Sequence, residues 1–171
     1  MDLTLRPVRE DELDILRAIG QDPEFAASTW AGFRNTAGLA REHAENGFLS
    51  WDVGRLMVQA DGEVAGYVSY SKGRYGIQGD YYEIGIALLP AFRGLGIGWR
   101  AQAMLTDYLF EHTPVVRIQA GTQPENVAEQ KSLLRAGFQL EGIIRACEFR
   151  SGAWRDGYLY SRLRHDPYPE I

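Results

Sequence analysis

A mixed α+β fold of seven strands and four helices is what this 171-residue sequence predicts, and three observations carry the prediction. Strand-forming stretches meet at Asp61-Gly62 and again at Ser151-Gly152, as in β-hairpins. An apolar run from Tyr81 to Leu89 leads through a glycine-rich turn into a long helical pattern. Strands and helices do not alternate regularly, so the sheet is mixed and not doubly wound.

In order along the chain, Leu3 to Val8 reads as a strand. Asp11 to Ile19 reads as a helix, because Leu13, Leu16 and Ile19 recur at helical spacing behind an acidic first turn. Residues 20 to 35 read as a loop or short helix, and Thr36 to Asn46 as a second helix. Arg55 to Ala60 and Glu63 to Ser71 form the first hairpin, and Lys72 to Asp80 reads as a glycine-rich loop. Tyr81 to Leu89 is nearly continuously apolar, as a central strand should be. Gly96 to His112 is the clearest helix, with Ile97, Ala101, Met104, Leu105, Tyr108 and Leu109 marking its buried stripe and Pro114 following its end. Val115 to Ala120 reads as a strand. Asn126 to Ala136 reads as a helix with Gly137 placed to cap its C-terminus. Phe138 to Arg150 and Ala153 to Leu163 are the last two strands.

With 45% hydrophobic residues and no repeat or linker, residues 1–171 read as one domain around one core. The net charge of −5 argues against a nucleic-acid partner, which would call for a basic face, and mildly favours cationic substrates such as amines. A single cysteine, Cys147, allows no internal disulfide and suggests a reducing compartment. The N-terminus lacks a charged segment followed by an apolar one, and no apolar run reaches the ~18 residues of a membrane span. The expectation is a soluble, cytoplasmic protein with no membrane partner. His43, His112 and His165 lie far apart without metal-ligand spacing, so no metal is expected.

Most of the chemistry lies between residues 82 and 98. A strand, then Arg93-Gly94-Leu95-Gly96-Ile97-Gly98, then a helix start would make a pyrophosphate site: the helix N-terminus offers free N–H groups and partial positive charge, and glycines let backbone approach a ligand. The spacing is not the Gly-x-Gly-x-x-Gly of dinucleotide folds, and no Gly-Lys-Ser/Thr follows as in a P-loop. A tight connection without any ligand is the alternative.

Arg93-x-x-Gly96-x-Gly98 resembles the coenzyme A site of the GCN5-related N-acetyltransferase (GNAT) superfamily, and the element order is similar over nearly the whole chain. Asn126, Ser132-Leu133, Ala136-Gly137-Phe138, Glu141-Gly142 and Arg145, continued by Gly152, Asp156 and Tyr160-Ser161, resemble the branch that acetylates ribosomal-protein N-termini. The resemblance implies a mostly antiparallel, twisted sheet and acetyl-CoA as acyl donor. It also implies an amine acceptor, either a peptide N-terminus or a small molecule, and a homodimer. It assigns the pyrophosphate to backbone from Arg93 to Gly98, the pantetheine to the strand end at Ala87 and Leu88, and a coenzyme contact to Asn126. Asn126 followed by Glu129 is equally a capping box.

Where the family carries a tyrosine acid, seven residues after the asparagine, this chain has Leu133; where the branch has a thiol-contacting serine, three residues after it, this chain has Glu129. Thiolate is a good leaving group, so solvent can suffice as its proton source, and the sequence leaves open what protonates it. Glu148 is the first choice of base by resemblance, with pairing to Arg145, Arg150 or Arg155 as its structural alternative. Glu83 on the central strand is the second choice. Trp30, Phe33, Tyr75, Tyr81 and Tyr82 are candidates for an acceptor pocket, and Gly73, Gly76 and Gly79 for a wider opening. A silent acyl-CoA-binding domain and a transferase of larger acyl groups are the other readings.

Overall fold

The computed structural model describes residues 1–26, 30 and 32–167. Its strands are β1 (Leu3–Pro7), β2 (Val53–Ala60), β3 (Glu63–Tyr75), β4 (Gly79–Leu88), β5 (Arg117–Thr122), β6 (Gln139–Arg150) and β7 (Ala153–Leu163). They form one sheet in the order β1-β2-β3-β4-β5-β7-β6. Every neighbouring pair is antiparallel except β4 and β5. Among the described residues there are five α-helices: α1 (Leu13–Gln21), α2 (Pro23–Ala26), α3 (Leu39–Asn46), α4 (Ile97–His112) and α5 (Val127–Arg135). None is long and apolar enough to cross a membrane.

Helix α4 is buried through Ile97, Ala101, Leu105 and Leu109 in a core shared with Val68, Ile84 and Ile118. That run follows the 3.6-residue period read from the sequence. Met104 is only partly buried and Tyr108 is 40% exposed, so the expected stripe is narrower than drawn. The opposite sheet face carries a smaller core of Val8, Leu13, Leu16, Phe48 and Met57. Strand alternation sends Met57 to this face and its neighbours Leu56 and Val58 to the other.

Three departures from the sequence reading have a clear physical cause; the other strand ends move by no more than two residues. The first helix is preceded by a 3₁₀ turn, Glu10–Glu12, because the Glu12 carboxylate turns back to the Arg9 N–H (2.9 Å) and the Arg6 guanidinium (2.5 Å). The second begins at Leu39 instead of Thr36, whose carbonyl closes the preceding turn. Residues 72 to 80 are not a loop. β3 continues to Tyr75 and pairs with β4 as far as Tyr75↔Gly79, with Asp80 held between Lys72 (2.9 Å) and Arg74 (2.5 Å). Cross-strand ion pairs and a Tyr75–Tyr81 stack (4.6 Å) outweigh the low strand propensity of the glycines.

At Gly66 the β2–β3 register shifts, and φ is +151°. A Cβ there would stand 2.1 Å from the Ala87 carbonyl oxygen and 2.8 Å from the Leu88 Cα. Only glycine lets β3 lie this close to the end of β4. Gly66→Ala should lower the midpoint of thermal unfolding by roughly 5–10 °C, the scale of a backbone clash in a domain of this size. Circular dichroism would measure it, and an unchanged midpoint would refute this account of the bulge.

Candidate active site

β4 and β5 pair at only two positions, Tyr82↔Ile118 and Glu83↔Gln119. Beyond them the strands part. β4 continues against β3 as far as Leu88↔Gly66, and β5 against β7 as far as Thr122↔Tyr158. A parallel pair needs a crossover, and here it is α4, whose N-terminus stands at the open end of the gap. The result is a cleft of about 630 Å³ bounded by β4, β3, the starts of α4 and α5, and the region of α1 and α2. The Leu89 N–H donates to Ala65 on β3, so strand alternation turns the Leu88 N–H and C=O toward the gap.

Gly96 precedes α4 in a left-handed conformation (φ 77°, ψ 7°) and supplies no capping side chain. The first-turn N–H groups of α4 therefore face the cleft without a side-chain cap, and no acidic residue lies in that turn. The Arg93 guanidinium holds the loop in place. Its Nε donates to the Leu88 carbonyl (3.0 Å) and its Nη2 to the Phe25 carbonyl (2.7 Å), and the group lies over the Phe25 ring. Gly98 packs against α5, where a Cβ would stand 3.2 Å from Ser132 Oγ.

On the α5 side, Asn126 caps the helix by accepting from the Glu129 N–H (3.2 Å). The capping box is only half formed: the Asn126 N–H donates to the Gln123 carbonyl (3.0 Å), and the Glu129 carboxylate instead accepts from Gln102 Nε2. Gln102 is 1% exposed and is itself fixed by Ser132 Oγ, which donates to its Oε1 (2.8 Å). Burial pushes the Glu129 carboxyl up from its ordinary value, against the opposing effect of the Gln102 hydrogen bond.

A second polar network spreads over the sheet face that carries Gly85 and Ala87. Gln119 Nε2 donates to Glu83 (3.0 Å), while Gln119 Oε1 accepts from Arg117 (3.2 Å) and from the Tyr75 hydroxyl (3.1 Å). Arg117 grips Glu141 through two bonds of 2.6 Å, and the Ser161 hydroxyl donates to Glu141 as well (2.5 Å). Arg117 and then Ser161 hold the Glu141 carboxyl down at about 2.

Of the residues singled out from the sequence, Ala87, Leu88, Arg93, Gly94, Gly96, Gly98 and Asn126 all line the cleft. Leu95 is exposed and Ile97 is buried in the core. Glu83 is not in the cleft lining; it lies outside it on the same sheet face, two residues before Gly85 on β4. Glu148 does not line the cleft. It follows a bulge in β6, faces Arg155 across the ladder, and accepts from Arg150 Nε and Gln123 Nε2, each at 3.3 Å. Trp30 lines the cleft, but Phe33 is 80% exposed and Tyr82 is buried, its hydroxyl donating to the Trp51 carbonyl (2.7 Å). Tyr75 and Tyr81 stack on the β3–β4 hairpin, and Gly73 packs under the Tyr81 ring. The sequence reading missed Arg34, Tyr67, Trp99, Lys131 and Arg135 in the lining. Lys131 and Arg135, four apart on α5, were visible as a helical pair, but only the fold shows what they face. Among the described residues no group of three His, Cys, Asp or Glu side chains is placed to hold a metal ion.

The family model of the acetyltransferase (GNAT) domain matches residues 2–139, and the chain belongs to that family. It is 36% identical over 83 residues to the probable N-acetyltransferase YjcK of Bacillus subtilis (strain 168), covering 48% of this chain and 46% of that protein. The chain spans about half the length of the curated relatives it matches. The fold is shared with RimL, a ribosomal L7/L12 alpha-N-protein acetyltransferase solved with coenzyme A (TM-score 0.76, 20% identity, 94% of this chain and 93% of that one). It is shared too with spermidine N-acetyltransferase from Vibrio cholerae in complex with CoA and spermine (TM-score 0.78, 19% identity, 96% of each chain).

The Glu141 carboxyl lies below its ordinary value of 4.5, so its contribution to stability is present above that pH and is lost as pH falls toward about 2. Glu141→Gln should lower the unfolding midpoint by a few degrees at pH 7, and the gap to wild type should close progressively between about pH 5 and pH 2.5. A gap independent of pH in calorimetry would refute the assignment of that shift to Arg117.

Proposed function

We propose that the chain is an acetyl-CoA-dependent N-acetyltransferase that moves an acetyl group to a primary amine by direct attack in a ternary complex. The observation that carries this reading is the cleft where β4 leaves β5, with the uncapped start of α4 at its mouth. An acidic protein concentrates Arg34, Arg93, Lys131 and Arg135 around this cleft, as a polyphosphate ligand would require.

In this reading the backbone from Gly94 to Gly98 holds the pyrophosphate, and Lys131 and Arg135 add positive charge at the α5 rim. The gap side of Ile86–Leu88 holds the pantetheine amides as an added strand would, and the Leu88 N–H stands where it can donate to the thioester oxygen. Asn126 remains chiefly a helix cap that also lines the channel. Bound acetyl-CoA supplies an activated carbonyl carbon. The base takes the proton from the attacking nitrogen, and an α-amino group with a pKa near ~8 asks less of it than a lysine near ~10.4. Glu83 is better placed than Glu148: it shares the cleft's sheet face and is aimed by Gln119, whereas Glu148 is engaged by Arg150. The acceptor is a peptide N-terminus or a small amine; the solved relatives include enzymes named for each. The lone Cys147 supports a reducing, cytoplasmic setting.

Isothermal titration with acetyl-CoA should give micromolar binding, and Gly96→Glu should abolish it by placing a strained side chain and negative charge at the helix start. Unchanged affinity in that variant would remove the loop from the site. Binding without turnover on a panel of peptide N-termini and polyamines would favour a silent acyl-CoA-binding domain.

Glu83→Gln should lower kcat roughly 10²-fold with acetyl-CoA affinity unchanged, and Glu148→Gln should have a smaller effect. The reverse ranking would transfer the base to Glu148.

A further inference from the structure

We propose that Glu129, in its protonated form, is the residue that returns a proton to the coenzyme sulfur as the acetyl group leaves. This rests on the acetyltransferase reading above. The sequence leaves the source of that proton open, since no tyrosine or serine stands at the family's positions. The structure places a carboxyl in the cleft where those hydroxyls are missing.

Glu129 lines the same cleft as Ile86, Leu88, Gly98 and Ser132, and among the described residues lining it no other is a carboxylate. The ordinary explanation for an acid at this helix position is a capping box, in which the carboxylate accepts from the N-cap N–H. Here that N–H is bonded to the Gln123 carbonyl, so the cap makes no use of the carboxyl. The helix N-terminus could also favour a charged carboxylate, but burial opposes this and pushes the group up. The cations in the lining are Arg34, Arg93, Lys131 and Arg135, and among the described residues no ion pair is made to Glu129. Arg93 is bonded to two backbone carbonyls and Arg135 lies over the Trp99 ring (4.6 Å).

The carboxyl is aimed as well as half-buried. Ser132 Oγ occupies the Gln102 Oε1, which leaves Gln102 Nε2 to donate to Glu129 Oε1. None of the described hydrogen bonds is made to Oε2, the oxygen left to carry a proton. In the step itself the amine nitrogen bonds to the thioester carbon and the carbon–sulfur bond breaks with its electron pair on sulfur. The Glu129 proton joins that sulfur. The products are the amide, the free thiol and the Glu129 carboxylate, which water reprotonates, while the proton of the amine passes to the base.

The first test reads binding alone. Coenzyme A and desulfo-coenzyme A are titrated into the full chain and into Glu129→Ala, whose fold is checked by circular dichroism. Wild type should prefer the thiol about fivefold, the scale of one hydrogen bond, and the variant should bind both equally. An equal preference in both proteins, or none in wild type, overturns the proposal. Failure of wild type to bind either ligand overturns the acetyltransferase reading itself. The second test uses Glu129→Gln, which keeps the bond to Gln102 but has no acidic proton. Its kcat should fall roughly 10²-fold at unchanged acetyl-CoA affinity, and the decline of kcat at alkaline pH that the proposal predicts for wild type should be absent. Undiminished kcat with a wild-type pH profile overturns the assignment.

Discussion

β4 and β5 run side by side for two residue pairs and then diverge, each held on its far side by an antiparallel partner. β4 pairs with β3 over ten positions and β5 with β7 over six, so neither strand can swing across to close the gap without losing a longer ladder. The sheet therefore contains an internal edge. Along Ile86–Leu88 that edge has no strand beside it; the Leu88 carbonyl accepts from Arg93, and the remaining edge groups need water or a ligand. An extended chain of amides meets that need in the way an added strand would. The crossover that makes the pair parallel also delivers the start of α4 to the same opening, so the open strand edge and the uncapped helix start follow from one topological fact.

Charge is arranged to suit that opening even though the molecule as a whole is acidic. Four cationic side chains surround the cleft, but they do different work. Arg93, the arginine of the sequence motif, is used chiefly to tie the loop to the end of β4 and to α2. Its guanidinium fork fits two carbonyls, a geometry that lysine could not reproduce. The motif arginine is thus part of the frame that presents backbone N–H groups, and Lys131 and Arg135 on α5 are better placed to meet charge at the rim.

Features set by a few neighbouring residues were legible in the sequence. The Asp61-Gly62 and Ser151-Gly152 turns, the glycine start of α4 and the Asn126 cap all depend on local backbone chemistry, and each stands where it was read. The parallel pairing of β4 with β5 was not legible from the residues, because an apolar run does not say which strand lies beside it. Residues 72 to 80 misled for the same reason: their glycines suggest a loop, but the partners that hold them in a ladder, Asp80 and Tyr81, act across the hairpin. Glu129 was visible as a helix-start acid, and its other role was hidden because Gln102, 27 residues away, is what draws the carboxyl from the cap into the cleft.

The two carboxyls of this reading differ in ways that match opposite duties. Glu83 is exposed on an open sheet face, and Glu129 is half-buried where α5 meets Gln102 of α4. Desolvation disfavours the charged form of a carboxyl, which suits Glu129 to the proton donor's part in this reading. Each is oriented by a glutamine amide that is itself fixed, Gln119 by Arg117 and Gln102 by Ser132. An amide aims a carboxyl without adding a full charge beside it, so the environment is left to decide the protonation state. Gln119 stands between Glu83 and the Arg117 guanidinium, whose two short bonds go to Glu141 instead.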